Sequence, residues 1–206
     1  MVRPAQTARS ERTREALRQA ALVRFLAQGV DGTSAEQIAA DAGVSLRTFY
    51  RHFTSKQDLL FADFDAGLQW FGSALAARPA GEPVITAVNT AISAFPYDAE
   101  AVTKIAGLRA GELDTERIVR NIRQVEADFA IAVEAHLTRT QRPAGPASSD
   151  RRLHLTVAAR CIAAAVFGAM EVWMLGDDRS LDELSRLCRT ALSSLESGIV
   201  RDLVSS

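Results

Sequence analysis

Apolar residues recur at helical spacing along most of the chain, and no stretch of sustained two-residue alternation interrupts them. Leu17, Ala20, Ala21, Phe25 and Leu26 mark a first helix, which Gly29 stops. Thr33 and Ser34 offer a cap to a second helix, with Glu36 and Gln37 just downstream and Ile38, Ala39 and Ala42 as its inward face. Gly43 closes that helix and Ser45 caps a third of barely two turns, with Val44, Phe49 and Phe53 turned inward. A fourth is expected from a Ser55 cap, with Asp58 in its first turn, to the breaker Arg78-Pro79-Ala80-Gly81. Amphipathic segments follow at 83–95, stopped near Phe95-Pro96, then at 98–109 and 114–140. The Pro/Gly/Ser-rich stretch 141–150 reads as a loop, and 151–175 and 180–203 as two long helices split by Gly176-Asp177-Asp178. The pattern predicts an all-α fold of about nine helices.

Within the first of those long helices, VAARCIAAAVFGAM (157–170) holds a single charge, Arg160. A helix apolar on nearly every side must be covered on nearly every side. A central place in one copy would do this, and so would a second copy of the chain. The second solution is favoured, with Ala158, Ile162, Ala165, Ala169, Leu187, Ala191 and Leu195 among the buried positions of a homodimer. No apolar run approaches the ~18 residues of a membrane span. The first residues lack the apolar middle of a signal peptide, so a cytoplasmic protein without membrane contact is expected. Cys161 and Cys188 sit in apolar helical patterns and read as two buried thiols rather than a disulfide.

Charge adds an asymmetry. Net charge is −1 overall, yet residues 1–60 carry nine Arg/Lys against six Asp/Glu, while 61–206 carry 15 against 19. A basic head on an acidic body suits a protein whose head alone meets a polyanion. In that head, GVSLRTFYRHF (43–53) crowds Arg47, Thr48, Tyr50, Arg51 and His52 onto a helix too short to stand alone in water. Two helices joined by a short Gly-bearing turn make a helix-turn-helix, whose second helix enters the major groove of DNA by its N-terminal residues. Arg47 would then reach guanine, Leu46 and Thr48 a thymine methyl, and Tyr50 and His52 phosphates. Backbone N–H groups after Ser34 and Ser55, together with Lys56, would offer further anion sites. A helical protein-interaction scaffold stays as an alternative that does not explain Arg47, Tyr50, His52 and Lys56 together, and spacing and composition leave a merely solvated polar helix equally open. They give no support to an enzyme: no Gly-x-Ser-x-Gly, Cys-x-x-Cys, His-Glu-x-x-His or phosphate-cradling Gly loop is present. The histidines at 52, 136 and 154 have no metal-ligand spacing, so neither metal nor cofactor is expected, and His136 and His154 read as surface residues.

The run GTSAEQIAADAGVSLRTFYRHFTSKQDLL resembles the DNA-binding head of the TetR family of transcriptional repressors. The shared pattern is Thr33-Ser34, Ile38-Ala39, Ala42 to Ser45, Tyr50, His52, Phe53 and Lys56, within residues of roughly 10 to 60. Val30 replaces the family's usual bulky aromatic after Gly29. The resemblance implies a three-helix head at 8–60, with its helix-turn-helix at about 33–52, and an effector-binding, dimerising helical body at 61–206. It implies that Ser34, Tyr50, His52 and Lys56 contact phosphates of double-stranded operator DNA while Ser45, Leu46, Arg47 and Thr48 face bases. It further implies a repressor released by a small apolar effector. Candidates to line the effector pocket are Phe64, Leu68, Trp70, Phe71, Val88, Ile92, Phe95, Leu108, Ile122, Val125 and Phe129, with Asn89, Arg109, Arg123 and Glu126 as polar anchors. A fainter similarity, in FADFDAGLQWF and the Trp-bearing end of 151–175, is to regulators associated with mycofactocin gene clusters, and implies an acyl-CoA-like effector.

Overall fold

The computed structural model describes residues 4–94, 99–140 and 148–198. The expected stop near Phe95-Pro96, most of the 141–150 loop and the end of the last helix beyond residue 198 lie outside them. The described residues form α1 (Pro4–Gln28), α2 (Ala35–Asp41), α3 (Leu46–His52), a 3-10 turn (Lys56–Phe61), α4 (Ala62–Ala76), α5 (Val84–Ser93), α6 (Ala99–Glu112), α7 (Thr115–Thr140), α8 (Ser149–Leu175) and α9 (Leu181–Ser197). No strand occurs among them, and the chain divides into two compact units.

The first unit comprises residues 1–65 with 100–112, so α6 joins the N-terminal helices across a long gap in sequence. Its core is Leu17, Ala21 and Phe25 from α1, Val30, Ile38, Ala39, Phe49, Phe53, and Leu59 to Phe61. Arg109 of α6 is buried there at 2% exposure, its Nε donating to the Leu60 carbonyl at 2.7 Å. The Arg109 guanidinium lies over the rings of Phe61 and Phe64, at 5.3 and 4.6 Å from their centroids. This corrects the expectation of a ligand anchor: a buried cation is tolerated only when paired or bonded, and here it ties α6 to the 3-10 turn. The fourth helix also starts differently. The Asp58 carboxylate turns back to accept from the backbone N–H groups of Thr54 and Ser55, both at 3.0 Å, and the chain stays 3-10 until Phe61.

The second unit comprises 66–99 with 113–206. Here α8 packs along both α7 and α9. Phe129 is stacked on Phe71 at 4.0 Å and meets Phe167 edge-on at 5.3 Å. His136 is buried, not superficial. Its Nδ1 accepts from Arg139 at 3.0 Å, which leaves the proton on Nε2 for the Leu75 carbonyl at the end of α4. Cys161 is exposed rather than buried, whereas burial pushes the half-buried Cys188 thiol up to about 11; both are free. Helix α8 is long and apolar enough to cross a membrane, contrary to expectation: an 18-residue window within it has a mean hydropathy of 1.7 despite the Arg160 charge. Some 39% of that window is buried within the fold, as suits a core helix with one face uncovered.

Candidate nucleic-acid interface

The turn between α2 and α3 rests on Gly43, whose φ of +65° lies where a Cβ would be strained. There the Val44 N–H reaches back to the Ala39 carbonyl at 2.9 Å. Ser34 and Gln37 form a reciprocal capping box at the start of α2, at 3.2 and 2.9 Å. Ser45 caps α3 through the Thr48 N–H at 3.2 Å, and its Oγ lies 3.0 Å from the Thr48 hydroxyl. Phe49 is fully buried beneath α3, so the helix turns the opposite side outward. On that side Ser45 and Arg47 are exposed and Leu46 and Thr48 half-exposed. Tyr50 is 54% exposed, its ring held edge-on against Phe49 at 5.2 Å.

Two expected phosphate contacts have local partners. His52 is half-buried, with Nε2 at 3.4 Å from Arg51. Burial first, and then the charges of Arg51 and Arg14, push its pKa below the ordinary histidine value. The Lys56 ammonium donates to the carbonyls of Val30 and Thr33 at 2.7 and 2.8 Å, pinning the turn that carries Ser34. One of its three N–H bonds remains for another partner. Lys56, Tyr50, Ser34 and Gln37 border an open hollow of about 600 Å³. A second hollow, of about 720 Å³, lies on the α1 side of α3 and is lined by Arg9, Ser10, Thr13, Ser45, Thr48 and Arg51. Sequence reasoning missed Asp58 and Arg109 as supports of this head. Asp58 bonds back to the turn before its helix, and Arg109 meets its partner 49 residues away.

Residues 17–62 match the sequence pattern of the bacterial regulatory proteins of the tetR family. The chain is 33% identical over 210 residues to the HTH-type transcriptional regulator TcmR of Streptomyces glaucescens, covering 93% of this chain and 86% of that protein. The chain belongs to the TetR family. It is therefore a DNA-binding transcriptional regulator and not an enzyme. TetR-family regulators bind operator DNA as dimers. In fold it is similar to Thermus thermophilus FadR, a TetR-family repressor solved with lauroyl-CoA, at a TM-score of 0.57 and 19% identity over 90% of this chain and 94% of that one.

The residues expected in the bodies of TetR-family regulators fall unevenly. Phe64 and Leu108 are half-buried members of the first unit. Phe71, Val88, Ile122 and Phe129 are buried in the second, with Leu68, Trp70, Asn89, Ile92, Val125 and Glu126 half-buried around them. Arg123 is exposed, and Phe95 lies outside the described residues. Of the expected dimer contacts, Ile162 and Ala169 point into their own protomer, at 4% and 6% exposure. Ala158, Ala165, Leu187, Ala191 and Leu195 are half-buried. The uncovered row of α8 is instead Leu153, Val157, Cys161, Ala164, Gly168, Val172 and Leu175, at steps of three and four. Sequence could not choose between two apolar faces of one helix; packing against α7 and α9 did.

Proposed function

We propose that the chain is a homodimeric repressor whose head, residues 8–60, reads a two-fold-related operator in the cytoplasm and releases it when a small apolar molecule occupies the body. The observation that carries this reading is the capped α3. It anchors Phe49 inward and leaves Ser45, Leu46, Arg47 and Thr48 outward on its first turn, where a recognition helix meets base edges. Tyr50, Ser34, His52 and the remaining N–H of Lys56 border that surface as phosphate donors. The exposed apolar row of α8, flanked by α9, is the face for the second copy. An isologous contact there would give two heads related by a two-fold axis, hence a near-palindromic site.

Release requires a ligand that binds the DNA-incompetent arrangement more tightly than the competent one. Trp70 and Phe71 on α4 are where such a guest would be read out. An apolar acyl-CoA is the first class to try. The test is selection of a duplex from a random library by the full chain, then mobility shifts on single-base variants. Arg47→Ala should cost about 1–3 kcal/mol and relax preference at one base position per half-site. If the chain enriches no sequence, or Arg47→Ala changes no base preference, this account of α3 fails. Lauroyl-CoA and free fatty acids, titrated against Trp70 and Trp173 fluorescence with and without the duplex, test the effector. Equal affinity in both conditions excludes a ligand as the inducer.

A further inference from the structure

His52 is the last residue of α3, and its ring is half-buried. Its Nε2 lies 3.4 Å from an Arg51 nitrogen. A guanidinium donates and never accepts, so Nε2 presents a lone pair there and the neutral ring keeps its proton on Nδ1. From α1 the second cation is Arg14, whose guanidinium lies over the ring of the next residue, Phe53, at 5.5 Å. The other charges of these elements are engaged elsewhere. Asp58 of the 3-10 turn accepts from the Thr54 and Ser55 N–H groups, and Lys56 donates to the Val30 and Thr33 carbonyls. On α1, Glu15 is bound to Arg18. None of the charged groups that act on His52 is a carboxylate. Burial first, then Arg51 and Arg14, hold its pKa below the ordinary histidine value, so the ring of the free protein is neutral near pH 7. A lone pair at Nε2 repels a phosphate oxygen, whereas an N–H there donates to one. The anion that His52 lacks in the protein is the one that DNA brings.

We propose that operator binding is proton-linked: as each head closes on DNA, His52 takes one proton from solvent onto Nε2 and, as an imidazolium, donates it to a backbone phosphate. Arg51 then gives up its contact with the ring, because two donors cannot share it. The bound ring has the higher pKa of the two states. Affinity is therefore greatest below the free-protein value and declines as pH rises through the bound one, by about tenfold per half-site for each unit that separates them. No phosphate or base of duplex DNA titrates in this range, so the dependence belongs to the protein. The inference rests on the operator-binding reading above.

The experiment uses the full chain and the duplex it selects, comparing wild type with His52→Gln, which keeps an N–H donor but does not titrate. A rise of about one to two units on phosphate contact should make wild type about tenfold weaker at pH 8 than at pH 6 for each half-site, about a hundredfold for a dimer. His52→Gln should lose that difference. The wild-type plot of log affinity against log salt should also steepen by up to about 0.9 per half-site as pH falls from 8 to 6, because the added charge releases a further counterion. Proton NMR reads the ring directly and does not depend on the variant folding. The chain has three histidines, and the other two, His136 and His154, lie in the second unit. The His52 signal should titrate at a higher pH with the duplex than without it. If it titrates at the same pH in both, or if His52→Gln keeps the full pH dependence, the inference is overturned while the operator-binding reading stands. If wild type selects no duplex, both fall.

Discussion

Replacing Lys56 by methionine removes a charge that has two roles to choose between, and the structure assigns most of it to the fold. The ammonium donates to the Val30 carbonyl at 2.7 Å and the Thr33 carbonyl at 2.8 Å, 26 and 23 residues away. Val30 keeps a second donor, the Thr33 N–H at 3.1 Å, so the larger loss is at Thr33. A hydrogen bond from a charged donor contributes about 1.5–3 kcal/mol, and the half-exposed site lets water recover part of it. The net is about 2 kcal/mol, localised to the turn that presents Ser34 to α2. Because that turn sets the start of α2, and α2 supports α3, its loosening should appear in amides of the helix-turn-helix. Hydrogen exchange is the assay: protection of the Ala42 and Val44 amides, bonded to Ile38 and Ala39 at 3.0 and 2.9 Å, should fall about thirtyfold. Lys56→Arg, which keeps the charge, should fall less. If protection is unchanged in Lys56→Met while operator affinity and its salt slope drop, the clamp is irrelevant and the ammonium is a phosphate contact only.

Other tests follow from the same packing. Val172→Glu, at a position 60% exposed, should leave the protomer folded and yield monomers by light scattering, whereas Ala169→Glu, facing inward, should impair folding. Phe129→Ala removes the middle ring of the Phe71–Phe129–Phe167 stack and should cost about 3–5 kcal/mol in denaturant unfolding; a cost below 1 would mean that the rings line a space rather than fill one. His136 titrates below its ordinary value, first because it is buried and then because Arg139 is close, while the Leu75 carbonyl and Glu82 pull the other way. The unfolded chain therefore takes up this proton first, so stability is full above about pH 6.5 and declines as pH falls toward the depressed folded value. His136→Gln should lose stability at pH 8 yet show a flatter decline between pH 7 and 5 in thermal melts; an equally steep decline would place the titration elsewhere.

The head was legible because its signals are local. Capping pairs three residues apart, glycines at left-handed positions and the i, i+4 apolar stripe are consequences of backbone geometry, which adjacent residues set by themselves. Gly43, Ser45 and Phe49 could be placed from the sequence for that reason, and the family pattern follows the same positions. Where partners are distant, reading failed. Nothing near Arg109 announces that it will bond to Leu60 and lie over Phe61 and Phe64, and nothing near His136 announces the end of α4. The sequence pattern suggests a ligand anchor for Arg109 and a surface place for His136, because charged and polar residues usually meet solvent or a ligand.

By itself, then, the sequence determined an all-helical chain with a helix-turn-helix head, the outward row Ser45 to Thr48 on its short third helix, and an apolar eighth helix that needed covering on all sides. The tertiary structure decided which face of α8 its own chain covers, leaving the row from Leu153 to Leu175 exposed. It also turned Lys56 inward to two carbonyls. The physical reason is range. Propensity and capping act over three or four residues, whereas burial and electrostatic pairing depend on which surfaces the completed fold brings together.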